Sequence, residues 1–151
     1  MLDSLEMIKA ARESIWLNEP ADIVRLRTRR GARNQGASAV LYAAMKLGQL
    51  VTFLNHMRGV ARKGGVDLGT MKAVTDPLLD FYADSYAGFY RMTDTAEIVR
   101  QAKAALREVK TLDEYVALTG GLSLYVGRMD YWVDLQIPWA KFGETYERMR
   151  Q

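Results

Sequence analysis

The chain has 151 residues, 49% of them apolar and 26% charged, which suits one domain with a buried core and excludes a largely disordered chain. With no cysteine and a single histidine, disulfides, thiolate metal sites and a cysteine nucleophile are excluded, and a zinc site lacks ligands. The net charge of +3 conceals a division: residues 23–66 hold nine bases and no acid, whereas the other 107 residues hold 12 bases and 18 acids.

Helical punctuation recurs along the chain. Asp3 with Glu6 forms a capping box that opens a helix to about residue 16. Asn18-Glu19-Pro20 breaks it, and Pro20 suits the first position of a second helix that ends near residue 30, before Gly31. A polar loop over 32–36 leads into a long helix, about 37–62, that stops at Gly64-Gly65. In it Val40, Ala43, Leu47, Leu50, Leu54, Met57 and Ala61 alternate spacings of three and four, which is an apolar seam of helical period. Gly48 and Gly59 weaken that helix by about 1 kcal/mol each unless a close neighbour needs the space.

A short helical piece over 67–74 is expected next, then a helix from Pro77 to about 92 with Asp76 as its N-cap. Asp94 with Glu97 and Thr111 with Glu114 read as two more capping boxes. The first opens a helix to about 109, and the second a helix closed by Gly120-Gly121. An apolar segment over 122–137 and a tail helix over 139–149, separated by Pro138, complete the chain.

The expected fold is therefore all-α: a single domain over 1–151, with about six helices around the long central one. The alternative is α+β, with a small sheet from 23–29 and 122–137. Val24, Leu26 and Thr28 alternate with arginines in the first segment, and Tyr131, Val133, Leu135 and Ile137 alternate in the second. No run approaches the roughly 20 apolar residues of a membrane span, and the first 14 residues lack a secretory apolar stretch. A cytoplasmic protein away from the membrane is expected.

The chemistry is carried first by arginine. Arg25, Arg27, Arg29, Arg30 and Arg33 fall within nine residues, and Arg58, Arg62 and Lys63 close the long helix. Guanidinium presents a planar fork of donors that matches phosphate and never loses its charge. The bland reading is that these cations complement helix C-termini and pair with the acidic remainder. The first cluster is denser than that role needs.

Asp76, Asp80 and Asp84 recur at spacing four on one predicted helix, and Asp130 and Asp134 on another. Facing helices of this kind could share a Mg²⁺ ion, but surface helices often carry such pairs, and exposed, non-convergent aspartates are expected. His56 is expected to be half-buried and hydrogen-bonded, since no recognisable catalytic partner flanks it. The aromatic groups Phe81, Tyr82, Tyr86, Phe89 and Tyr90, and Tyr125, Tyr131, Trp132, Trp139, Phe142 and Tyr146, read as core or interface.

These features lead to a non-enzymatic nucleic-acid-binding or assembly subunit, contacting the phosphate backbone of RNA or DNA through the eight named cations. It would need no metal or cofactor, and it would function in a homo-oligomer or larger complex. A module binding an acidic protein is the alternative, and a Mg²⁺-dependent helical phosphohydrolase the third reading.

Overall fold

A computed structural model describes residues 4–32 and 36–136, and for 27–32 and 36–39 the backbone only. Six helices follow one another: α1 (Ser4–Leu17), α2 (Ala21–Ala32), α3 (Gly36–Lys63), α4 (Leu68–Gly88), α5 (Thr93–Glu108) and α6 (Leu112–Asp134). The fold is an all-α bundle, and among the described residues there is no strand. Residues 23–29 lie inside α2, and the helix α6 continues as far as Asp134. The expected cap Asp3 and tail helix 139–149 lie outside the described residues.

The long central helix forms as its pattern predicts. Val40, Ala43, Leu47, Leu50, Leu54, Met57 and Ala61 are all buried, and Leu47, Leu50 and Leu54 have no exposed surface. Burying each leucine stabilises the bundle by about 1.5–3 kcal/mol. The helix stops where Gly64 and Gly65 take φ of 77° and 86°, a left-handed backbone that glycine adopts without a Cβ clash.

α6 lies antiparallel along α3. Moving back along α3, Asn55, Val51 and Gly48 meet Ser123, Gly127 and Asp130 of α6 in turn: Ser123 donates to Asn55 at 2.8 Å, and a methyl on Gly48 would sit 3.7 Å from Asp130 Oδ2. α1 packs on the other flank of α6, where Trp132 donates its indole N–H to the Ile15 carbonyl at 2.9 Å.

α4 and α5 form a second antiparallel pair. Lys103 reaches Asp80 at 2.8 Å and Asp76 at 3.9 Å, and Arg100 reaches Asp84 at 3.3 Å. Lys72 adds a positive charge at the far end of α5, donating to the carbonyls of Arg107 and Val109 at 3.1 and 2.9 Å.

Several boundaries differ from the sequence expectation. The piece over 67–74 and the helix from Pro77 are one helix, α4, capped by Asp67. Asp67 accepts from the Thr70 amide at 2.8 Å, which holds its carboxyl below the usual range. Asp76 is thus no cap, and Pro77 sits in the helix interior. Its missing N–H costs one bond of the helix ladder, on a face that is exposed. Gly120-Gly121 does not end a helix either, because α6 runs through it. Thr111 caps α6 as expected, accepting from the Glu114 amide at 3.1 Å.

Candidate functional site

Each basic side chain of the predicted phosphate surface has a definite place or lies outside the described side chains. Arg27, Arg29, Arg30 and Arg33 belong to the latter group. Arg25 is about half exposed and binds Asp22 at 2.7 Å, Thr93 at 3.1 Å and Asp94 at 3.7 Å at the α2–α5 contact. Arg58 lays its guanidinium against the backbone of Gly120, where a methyl group would come 2.9–3.1 Å from Nη2, Cζ and Nε. Its Nε is buried without a hydrogen-bond acceptor. Arg62 and Lys63 are exposed in the last turn of α3, where cations complement the helix dipole. The described members of the set are therefore split between contacts to neighbouring helices and one helix end.

Asp22 explains why Arg25 is held. This aspartate is almost fully buried. Its carboxylate accepts from the Thr95 amide at 2.7 Å, the Thr95 hydroxyl at 2.5 Å and the Asp94 amide at 3.3 Å. A carboxylate from α2 thus caps the N-terminus of α5, where the free amides and the helix dipole favour negative charge. The expected Asp94–Glu97 box is replaced by this contact, and the residue at the cap position, Met92, has no side chain that could do it.

The two aspartate stripes do not meet. Asp76, Asp80 and Asp84 face Lys103 and Arg100 across the α4–α5 seam. Asp130 lies instead beside Gly48 on α3. Among the described residues no grouping of histidine and carboxylates could hold a metal. Asp130 is not a solvated aspartate, contrary to expectation: it is partly buried. Burial, with the Asp134 charge second, pushes its carboxyl up to about 6. His56 also departs from expectation, since it is exposed.

A further group, which the sequence does not single out, lies between α1 and α6. Arg128 stacks on the Trp16 ring with its Cζ 3.7 Å from the centroid. Tyr131, one turn on, brings its ring centroid to 5.9 Å from that of Trp16 at an interplanar angle of 50°. Both rings are about half exposed, and Leu135 continues the exposed line along α6. Around the axis of α6, Arg128 and Asp130 are roughly 200° apart, with Tyr131 on the outer face between them. The last two turns of α6 thus present an arginine, an aromatic ring and a carboxyl able to exchange a proton near neutrality.

Comparison with known proteins adds two findings. A family model described as the cucumopine synthase C-terminal helical bundle domain matches residues 2–135. The solved structure of McbB in complex with tryptophan shares the fold with a TM-score of 0.74 at 24% identity, over 95% of this chain and 48% of McbB. This chain therefore spans about half the length of McbB. No curated protein sequence matches it. Among the described residues no helix is long and apolar enough to cross a membrane.

Proposed function

The chain belongs to the family of cucumopine synthase C-terminal helical bundle domains, and from that premise we propose that it forms the helical half of a synthase building a small molecule from an amino acid. The observation that carries this reading is the family match across residues 2–135. The bound tryptophan of McbB supports an amino acid as the substrate class, and the share of McbB that this chain spans supports a complementary half completing the active unit.

Within this reading the end of α6 faces the substrate. Asp130 exchanges a proton, because a carboxyl near 6 is populated in both states around neutral pH. The absence of cysteine supports a reducing, cytoplasmic compartment. Calorimetric titration of the protein with L-tryptophan and the other free amino acids tests the reading, which requires saturable binding of at least one of them.

The charge division supports a second reading, in which the acid-free run contacts nucleic acid or an acidic protein. Arg25 is paired with Asp22 and Arg58 lies against Gly120, so Arg62, Lys63 and the arginines of the 27–33 stretch would form the contact. Affinity for RNA or DNA should then fall steeply with salt, because each neutralised phosphate releases counterions. Binding that ignores salt, or none at about 50 mM salt, removes this reading.

A further inference from the structure

The α1–α6 contact holds a charged group that the bundle does not satisfy. Nε and Nη1 of Arg128 are buried and have no hydrogen-bond acceptor. Desolvation lowers its proton affinity, and the nearby Arg12 charge lowers it further. Arg12 precedes Trp16 by one turn on α1, so the two arginines and the indole share one corner of the fold. Neither arginine forms an ion pair among the described residues. Adjacent like charges are unfavourable, and an anion arriving between the two guanidinium groups relieves them.

The surroundings specify the anion. Trp16 and Tyr131 are 54% and 50% exposed, and their rings meet at 50° beside the guanidinium. Exposed aromatic faces next to cations suit a flat apolar body with a negative end. A bare inorganic anion would leave both rings in water.

We propose that Arg12, Arg128, Trp16 and Tyr131 form a binding site for a small aromatic carboxylate. Nη2 of Arg128 and the Arg12 guanidinium take the carboxylate oxygens by charge-assisted hydrogen bonds. Trp16 and Tyr131 take the ring. The site rests on the synthase reading in one respect: it names the end of an amino-acid substrate that the helical half recognises.

Phenylacetate and phenylacetamide test it, since they share a ring and differ in the charge. Titrated into the full chain and followed by indole fluorescence, phenylacetate should give a saturable change that Trp16→Phe abolishes. Phenylacetamide should bind at least about tenfold more weakly, and Arg128→Gln and Arg12→Gln should each weaken phenylacetate about 10- to 100-fold. If Arg128→Gln does not fold, Arg12→Gln carries the test, and Arg12→Lys should recover part of the loss.

No saturable change with phenylacetate, equal affinity for the amide, unaltered affinity in Arg12→Gln, or equally tight inorganic phosphate would each overturn the site. Amino-acid binding that ignores both arginines sinks this site and leaves the synthase reading intact. Phenylacetate binding through Arg12 without any amino-acid binding does the reverse.

Discussion

Removing the Asp22 carboxylate would leave the Thr95 amide and hydroxyl without their acceptor and Arg25 without its shortest partner. Asp22→Ala should therefore destabilise the protein by about 2 kcal/mol, the upper end for loss of an N-cap. Urea denaturation checks this, and a change under about 0.5 kcal/mol would mean that the cap is idle. Asp130 should act in the opposite sense. Its folded carboxyl titrates near 6 and its unfolded one near 3.8, so between those values the folded state binds more protons. Stability should fall as pH rises from about 4 to about 6, by about 1–2 kcal/mol once solvent screening at the partly exposed carboxyl is allowed for. Asp130→Asn should raise the urea midpoint at pH 7 and flatten that slope. A lower midpoint at pH 7 would show that the carboxylate is stabilising. Asp22 does not announce itself in the sequence, because it meets Thr95 73 positions away, and the spacing that singles out Asp130 with Asp134 does not reveal the burial that raises its carboxyl.

Among the elements, α3 was the most legible, since its seam of seven apolar residues has one period from end to end and all seven are buried. Leu54, wholly buried, should cost about 2–5 kcal/mol when cut to alanine, read by thermal or urea unfolding. A neutral effect would remove α3 from the centre of the bundle. The boundaries that misled have two causes, one for the glycines and one for the proline. Gly120 accepts the Arg58 guanidinium, and a methyl on Gly121 would meet Leu5 and Ile8 of α1 at 3.4 and 3.5 Å. The glycines there mark close approach inside a helix. Pro77 is tolerated within α4 because its side of the helix faces water. The strand-like alternation over 23–29 yielded to a helical context in which Ile23 and Leu26 are buried together.

At the scale of the whole molecule, the uneven charge was real, but part of it is used in holding helices to one another. Arg25 fastens α2 to α5, Arg58 fills the space over Gly120, and the acidic stripe of α4 is met by the cations of α5. Composition reveals the division of charge and not which cations are consumed by packing. The cluster around Trp16 was hidden for a related reason, since Arg12 and Arg128 come from the two ends of the chain and meet only in the folded bundle. Family membership was not legible from motifs because this sequence offers a helical packing pattern and no spaced catalytic or metal motif to read. The central claim, a helical half that handles an amino acid, is tested most directly by calorimetric titration of the whole protein with L-tryptophan and a panel of free amino acids. The account predicts saturable one-to-one binding of at least one of them with a Kd of about 1 mM or tighter. Flat titrations for every amino acid up to about 10 mM, with the protein shown to be folded, would contradict it.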